Sequence, residues 1–206
     1  MTKALASFLA GVAILCLSAS IPCYAGASRT HDGFFLRLSA GAGTAGSKIE
    51  DQTNSIDISG NAGDVDIAIG GIVAPNFAIH GTIFGWSASD PHADVTLSGL
   101  GSGSGTLQGT ATMSAFGPGV TYYFMPVNFY ATGSVGFGKF KLDGDVKGET
   151  KTGIALGLAL GKEWWVGSAW GLGVAGGLIH HSLPDEGATE RWSGTSIALR
   201  FSATFN

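Results

Sequence analysis

Charge is what this sequence has least of: Asp, Glu, Lys and Arg together make up 13% of its 206 residues, while mean hydropathy is positive at +0.28. A water-soluble exported domain with so few charges would be hard to keep dispersed. Cysteine is almost missing as well. Both copies, Cys16 and Cys23, stand in the first 25 residues, so the remainder has no disulfide staple, no thiolate nucleophile and no Cys-ligated metal. Long apolar runs are lacking past residue 25. The best, "GIALGLALG" from Gly153, reaches Lys162 and Glu163 well short of the ~18 residues of a membrane helix. Basic residues are outnumbered too: without Lys3 the chain holds 10 Lys and Arg against 15 Asp and Glu, a net charge near −5 that gives no electrostatic footprint for nucleic acid.

What is present begins with a leader. Lys3 precedes the apolar stretch "LASFLAGVAILCLSAS", then come Pro22 and "CYA" with small residues before Gly26. That is the layout of a secretory signal peptide cut after Ala25. Residues 1–25 are therefore assigned as leader and 26–206 as one domain. The domain must be apolar without a spanning helix.

Alternation of period two resolves this. Eight strands are expected, roughly at 33–43, 64–74, 77–88, 110–124, 128–140, 152–165, 169–182 and 192–206. Three connections are tight, at 75–76, 125–127 and 166–169. Four are long and polar or Gly-rich, at 44–63, 89–109, 141–151 and 183–191. Short turns at one end and long loops at the other describe an all-β, closed, antiparallel, eight-stranded up-and-down transmembrane β-barrel.

Two signals decide which face is outside. On the apolar parity at the short-turn end stand Phe34, Phe77, Phe129, Trp164, Trp170 and Phe205, a ring of aromatics suited to a membrane interface. The other parity carries Arg37 and Arg200. A lipid-facing arginine at mid-bilayer costs ~2–4 kcal/mol, so both belong inside. For 110–124 neither parity is clean, and its facing stays open. The expected lumen charges are Arg37, Asp66, His80, Glu163 and Arg200, forming a charge-paired plug, with a gate or proton-sensitive switch as the alternative reading. An eight-stranded barrel is just wide enough to be filled by side chains.

The final strand, "GTSIALRFSATFN", alternates apolar residues and nearly ends on an aromatic, with Phe205 penultimate and Asn206 last. With its leader, eight strands and alternating loop lengths, the chain resembles the small eight-stranded outer-membrane proteins of the OmpA transmembrane-domain, OmpX and OmpW kind. That resemblance implies location in the outer membrane of a Gram-negative-type bacterium, with termini in the periplasm and long loops outside. It also implies contact with outer-membrane lipid and lipopolysaccharide, delivery by periplasmic chaperones and the barrel-insertion machinery, and no cofactor. The leading functional expectation is non-enzymatic: envelope structure, or interaction with an extracellular ligand through the loops.

Three motifs carry other chemistry. "HHSLPDEGATE" at 180–190 is similar to the His-x-Ser motif of PagL-type lipid A deacylases, which are also small outer-membrane barrels. The resemblance makes His180 the base, Ser182 the nucleophile and Glu190 the orienting carboxylate, although Leu183 follows the serine where that family has asparagine. His180 and His181 with Asp185 and Glu186 are a weaker metal-site pattern, since adjacent strand residues point to opposite faces. "GLGVAG", Gly171–Gly176, matches a dinucleotide fingerprint in spacing alone, because alternation runs straight through it. "GLGSGSG" at 99–105 lacks the helix and Lys-Ser/Thr of a phosphate loop. Narrow permeation of small solutes is a further expectation to test.

Overall fold

A computed structural model describes residues 30–187 and 189–206. The leader assigned to 1–25 lies outside them. The strands are β1 (Phe34–Glu50), β2 (Ser55–Ala74), β3 (Phe77–Ser89), β4 (His92–Leu97), β5 (Gly101–Thr106), β6 (Gly109–Phe124), β7 (Phe129–Gly144), β8 (Gly148–Glu149), β9 (Gly153–Trp165), β10 (Trp170–Pro184) and β11 (Arg191–Phe205). Eight of them, β1, β2, β3, β6, β7, β9, β10 and β11, pair antiparallel in a closed ring, because β1 bonds to both β2 and β11. Closure leaves this wall without an unpaired edge, the condition for strands to cross hydrocarbon.

Local sequence explains the short-turn end. Asn76 and Asn128 take left-handed backbone, with φ of +62° and +55°, where asparagine is tolerated better than a branched residue. At the other end the strands outrun their apolar segments. The expected loop 44–63 is mostly the continuing β1–β2 hairpin, turning only at 51–54. The expected loop 89–109 holds the β4–β5 hairpin. β2 bonds to β3 from Ala62 to Ala74, then to β4 from Ser55 to Ser59. Within the expected loop 141–151, β8 pairs with β7 through Lys141 and Glu149. Above the apolar band both faces of a strand tolerate Ser, Thr, Gly and Asp, so period-two hydrophobicity stops while backbone pairing continues.

The wall sorts by parity. Ile67, Ile83, Phe116, Phe137, Leu158 and Phe201 stand on the outside, 41–67% exposed, as members of a continuous apolar belt. The ambiguous segment 110–124 now has a definite facing: Phe116, Val120, Tyr122 and Phe124 point out, and Met113, Ala115 and Tyr123 point in. Its part near the long loops is apolar on both faces because Met113 and Ala115 meet an apolar part of the lumen. Among the described residues no helix is long and apolar enough to cross a membrane, and the belt around the closed ring does so with strands. The chain is a transmembrane barrel of the outer-membrane type.

Candidate functional site

The lumen has two storeys. The one nearer the short turns is polar. Arg37 and Arg200 are 2% and 3% exposed, and Asp64, Asp66, His80 and Glu163 are buried with them. Asp64 on β2 and Arg200 on β11 both face Gly41 of β1 in register, one from each side. A Cβ at Gly41 would collide with the backbone of Leu199 and Arg200. With no side chain between them, the guanidinium and carboxylate form a two-point pair: Arg200 Nε donates to Asp64 Oδ1, and Nη2 donates to Oδ2 at 3.0 Å. This fork geometry is the strong form of the Arg–carboxylate bond.

Asp66 joins the two arginines, lying 3.8 Å from Arg37 Nη2 and 3.8 Å from Arg200 Nη1. Arg37 donates to Thr121 Oγ1 at 3.3 Å and to Thr132 Oγ1 at 3.1 Å, with its guanidinium 4.9 Å from the centre of the Tyr130 ring. His80 Nε2 is 3.0 Å from Thr121 Oγ1, so Thr121 ties His80 to Arg37. Glu163 stands lower. Its Oε1 accepts from Thr204 Oγ1 at 2.6 Å and from Tyr123 OH at 3.5 Å.

A floor closes this storey. His31, just before β1, stacks on Tyr123 with ring centres 3.6 Å apart. Asn206 Nδ2 donates to His31 Nδ1 at 2.5 Å, and His31 Nε2 donates to Asn128 Oδ1 at 2.7 Å. Burial lowers the His31 pKa, against the opposing pull of its bonds to Asn128 and Asn206. Asn206, which follows Phe205, is thus part of the floor.

The upper storey is apolar. Phe84, Trp86, Met113, Phe140, Ile179 and Leu183 are buried there. Trp86 and Trp192 approach Phe140 with ring centres 5.8 and 5.3 Å away. Its polar pair is Ser47 Oγ and His181 Nε2, 2.9 Å apart. The charge network thus lies above the floor, and the apolar core lies above the charge network.

The aromatics at the short-turn end lie on the outer wall. Phe34 and Trp170 are exposed, while Phe77, Phe129, Trp164 and Phe205 are half-buried. Phe205 packs 6.2 Å from Phe34 and 5.2 Å from Trp170 between ring centres. Lys162 Nζ lies 5.2 Å from the Phe129 ring and 5.5 Å from Trp164, its stem along the wall and its charge among aromatic faces.

The deacylase-like residues are not assembled. His180 Nδ1 is 3.0 Å from Thr195 Oγ1, and Ser182 Oγ accepts from Arg191 Nε at 2.8 Å. Glu190 Oε1 accepts from Thr189 at 3.1 Å. His180 and Ser182 are thus each engaged with another partner rather than with one another. His181 points into the barrel and His180 outward, so they are split, and among the described residues no group of three His, Cys, Asp or Glu could hold a metal. Gly171–Gly176 lies within β10 rather than at a strand-to-helix turn, and 99–105 forms a turn and most of β5.

Asp64, Thr121, Thr132, His31, Asn128 and Asn206 escape the sequence reading. Asp64 shares parity with Asp66 two places on, which is a usable signal. The threonines and the floor depend on ring closure and have no local signature.

No protein-family model matches the chain, and no curated protein does. Among solved structures, Neisserial surface protein A (NspA) superposes with a TM-score of 0.53 at 14% identity, covering 86% of this chain and 99% of that one. The outer membrane protein OprG from Pseudomonas aeruginosa superposes with a TM-score of 0.51 at 12% identity, covering 85% of this chain and 98% of that one. The likeness is one of fold, and the fold is that of the small outer-membrane β-barrels.

Proposed function

We propose that this protein is a non-enzymatic component of the outer membrane that presents its long-loop end to the exterior, as an envelope-structural element or as a receptor for an extracellular ligand. One observation carries this: the barrel wall continues beyond the apolar belt as paired strands, enlarged by the β4–β5 hairpin, above a lumen lined by the charge network and the apolar core. This ordered β structure lies beyond the apolar belt. It offers a rigid surface for contact.

The test has two arms. Refolded protein in planar bilayers should give no single-channel steps. Regular steps would replace this reading with permeation. Cells carrying Ser182→Ala should have the same lipid A acylation, by mass spectrometry, as cells with the unaltered protein and cells lacking it. Loss of a deacylated species in the variant would establish an enzyme instead.

A further inference from the structure

The outer wall is not uniform where it leaves the hydrocarbon. Around most of the ring the apolar belt gives way to uncharged side chains such as Ser87, Thr152 and Thr195. Across β6 and β7 it gives way to a ladder of hydroxyls and amines. Phe116 and Phe137 pair in register as the last apolar rung, 65% and 59% exposed. Two residues further, roughly 6–7 Å up the strands, Ser114 faces Lys139, and the next outward pair is Thr112 with Lys141. Above them Thr110 faces Asp143. A groove of about 700 Å³ lies along this ladder, and Glu149 of β8 also lines it.

Both lysines already have carboxylate partners: Lys139 Nζ is 2.6 Å from Glu149, and Lys141 Nζ is 2.7 Å from Asp143. All four side chains are about half exposed, and ion pairs in water hold weakly. Such pairs keep the ammonium groups extended in the groove, yet yield to a doubly charged phosphate. Lys147 and Lys151 follow in the same stretch, which has four lysines against Asp143, Asp145 and Glu149. The β1–β2–β4 side has the opposite balance, with Glu50, Asp51, Asp57 and Asp94 against Lys48 and His92.

We propose that the β6–β7 groove binds the phosphorylated sugar headgroup of an outer-leaflet glycolipid. Lys139 and Lys141 take the phosphate, Ser114 and Thr112 hydrogen-bond to phosphate or sugar oxygens, and Phe116 and Phe137 receive the acyl chains below. The occupant is a lipid because the groove is continuous with the hydrocarbon-facing wall: a headgroup docked on the ladder has its chains already against the belt. This inference rests on the reading of the long-loop end as external.

The test uses refolded full barrel in nanodiscs containing bis-phosphorylated lipid A, with retained lipid counted by native mass spectrometry. Unaltered protein should retain the glycolipid, whereas Lys139→Gln/Lys141→Gln should bind it about tenfold or more weakly, as expected from losing two charge-assisted bonds. Lys48→Gln, on the acidic side, should bind like the unaltered protein. Lipid A stripped of phosphate should be retained poorly, and millimolar inorganic phosphate should fail to displace the bound form. Equal retention by the double variant, or of the dephosphorylated lipid, would overturn the site. Ready displacement by free phosphate would overturn the lipid assignment. Heat-modifiable migration of each variant checks the barrel independently, so a lost site and a failed barrel give different results. Should the double variant migrate as unfolded, Thr112→Val/Ser114→Ala takes its place, with weakened retention expected and unchanged retention contradicting the proposal.

Discussion

Asp64 and Arg200 are joined through the interior of the barrel across a third strand, meeting over Gly41. The pair fastens β2 to β11 on either side of β1, where the ring closes. Arg200→Met should leave Asp64 as an unpaired buried charge and cost about 3–5 kcal/mol in reversible urea unfolding from detergent micelles. Adding Asp64→Leu should recover most of that loss. A single variant as stable as the unaltered barrel would show that the pair contributes nothing.

Gly41 is required by close approach, since any Cβ there meets backbone that cannot swing aside. Gly177 makes room differently: a Cβ would lie 2.5 Å from Arg200 Cζ, the far end of a side chain. Gly41→Ala should therefore prevent refolding or cost more than Gly177→Ala. The order of the two midpoints in urea checks this.

The floor should respond to acid. His31 has its pKa lowered by burial from 6.5, so the unfolded chain binds the proton more tightly. Its contribution to stability is complete above about pH 6.5 and is lost as pH falls from there through the folded value. Protonation of Nδ1 also removes the acceptor used by Asn206 Nδ2. Protection of the Asn128 and Asn206 amides, taken as exchange relative to the intrinsic rate at each pH, should fall as pH drops below 6.5 in the unaltered protein. In His31→Phe that pH dependence should vanish, and an unchanged profile would contradict the role of His31.

At the opposite end, the β1–β2 tip is held by a carboxylate. Asp51 accepts from Asn54 Nδ2 at 2.9 Å and from the backbone N–H groups of Thr53 and Asn54 at 2.7 and 2.6 Å. These bonds, led by the Asn54 side chain, lower its pKa from 3.8 to about 2. The tip should therefore stay ordered well below pH 4 and loosen only as pH falls towards 2. Carboxyl carbon NMR gives the midpoint directly. Asn54→Ala should move it up towards the ordinary carboxylate range.

Arg37 and Arg200 show why the barrel is legible in the sequence. An arginine amid alternating apolar residues has one tolerable side, and that fixes the facing of a whole strand. Leu156, Leu158 and Leu160 beside Ala155 and Ala159 do the same for β9. Segment 110–124 resists because Met113 and Ala115 meet an apolar part of the lumen while Phe116 and Val120 meet lipid, and Tyr123, whose ring is apolar, reaches Glu163 only with its hydroxyl. The outward extensions resist for another reason: Gly101–Thr106 has no apolar periodicity, and its pairing with β4 rests on backbone bonds alone. The floor lies furthest from view, since His31 and Asn206 become neighbours only when the ring closes.

The most direct check on the facing of the wall is nitroxide accessibility at single cysteines, introduced into the cysteine-free residues 26–206 at Ile67, Leu158 and Phe201, in lipid bilayers. All three labels should collide readily with molecular oxygen dissolved in hydrocarbon and hardly at all with a water-soluble nickel complex, whereas a label at Lys139 should show the reverse. Ready collision of the nickel complex with Leu158 and Phe201 would place these residues in water, and the transmembrane barrel described here would be wrong.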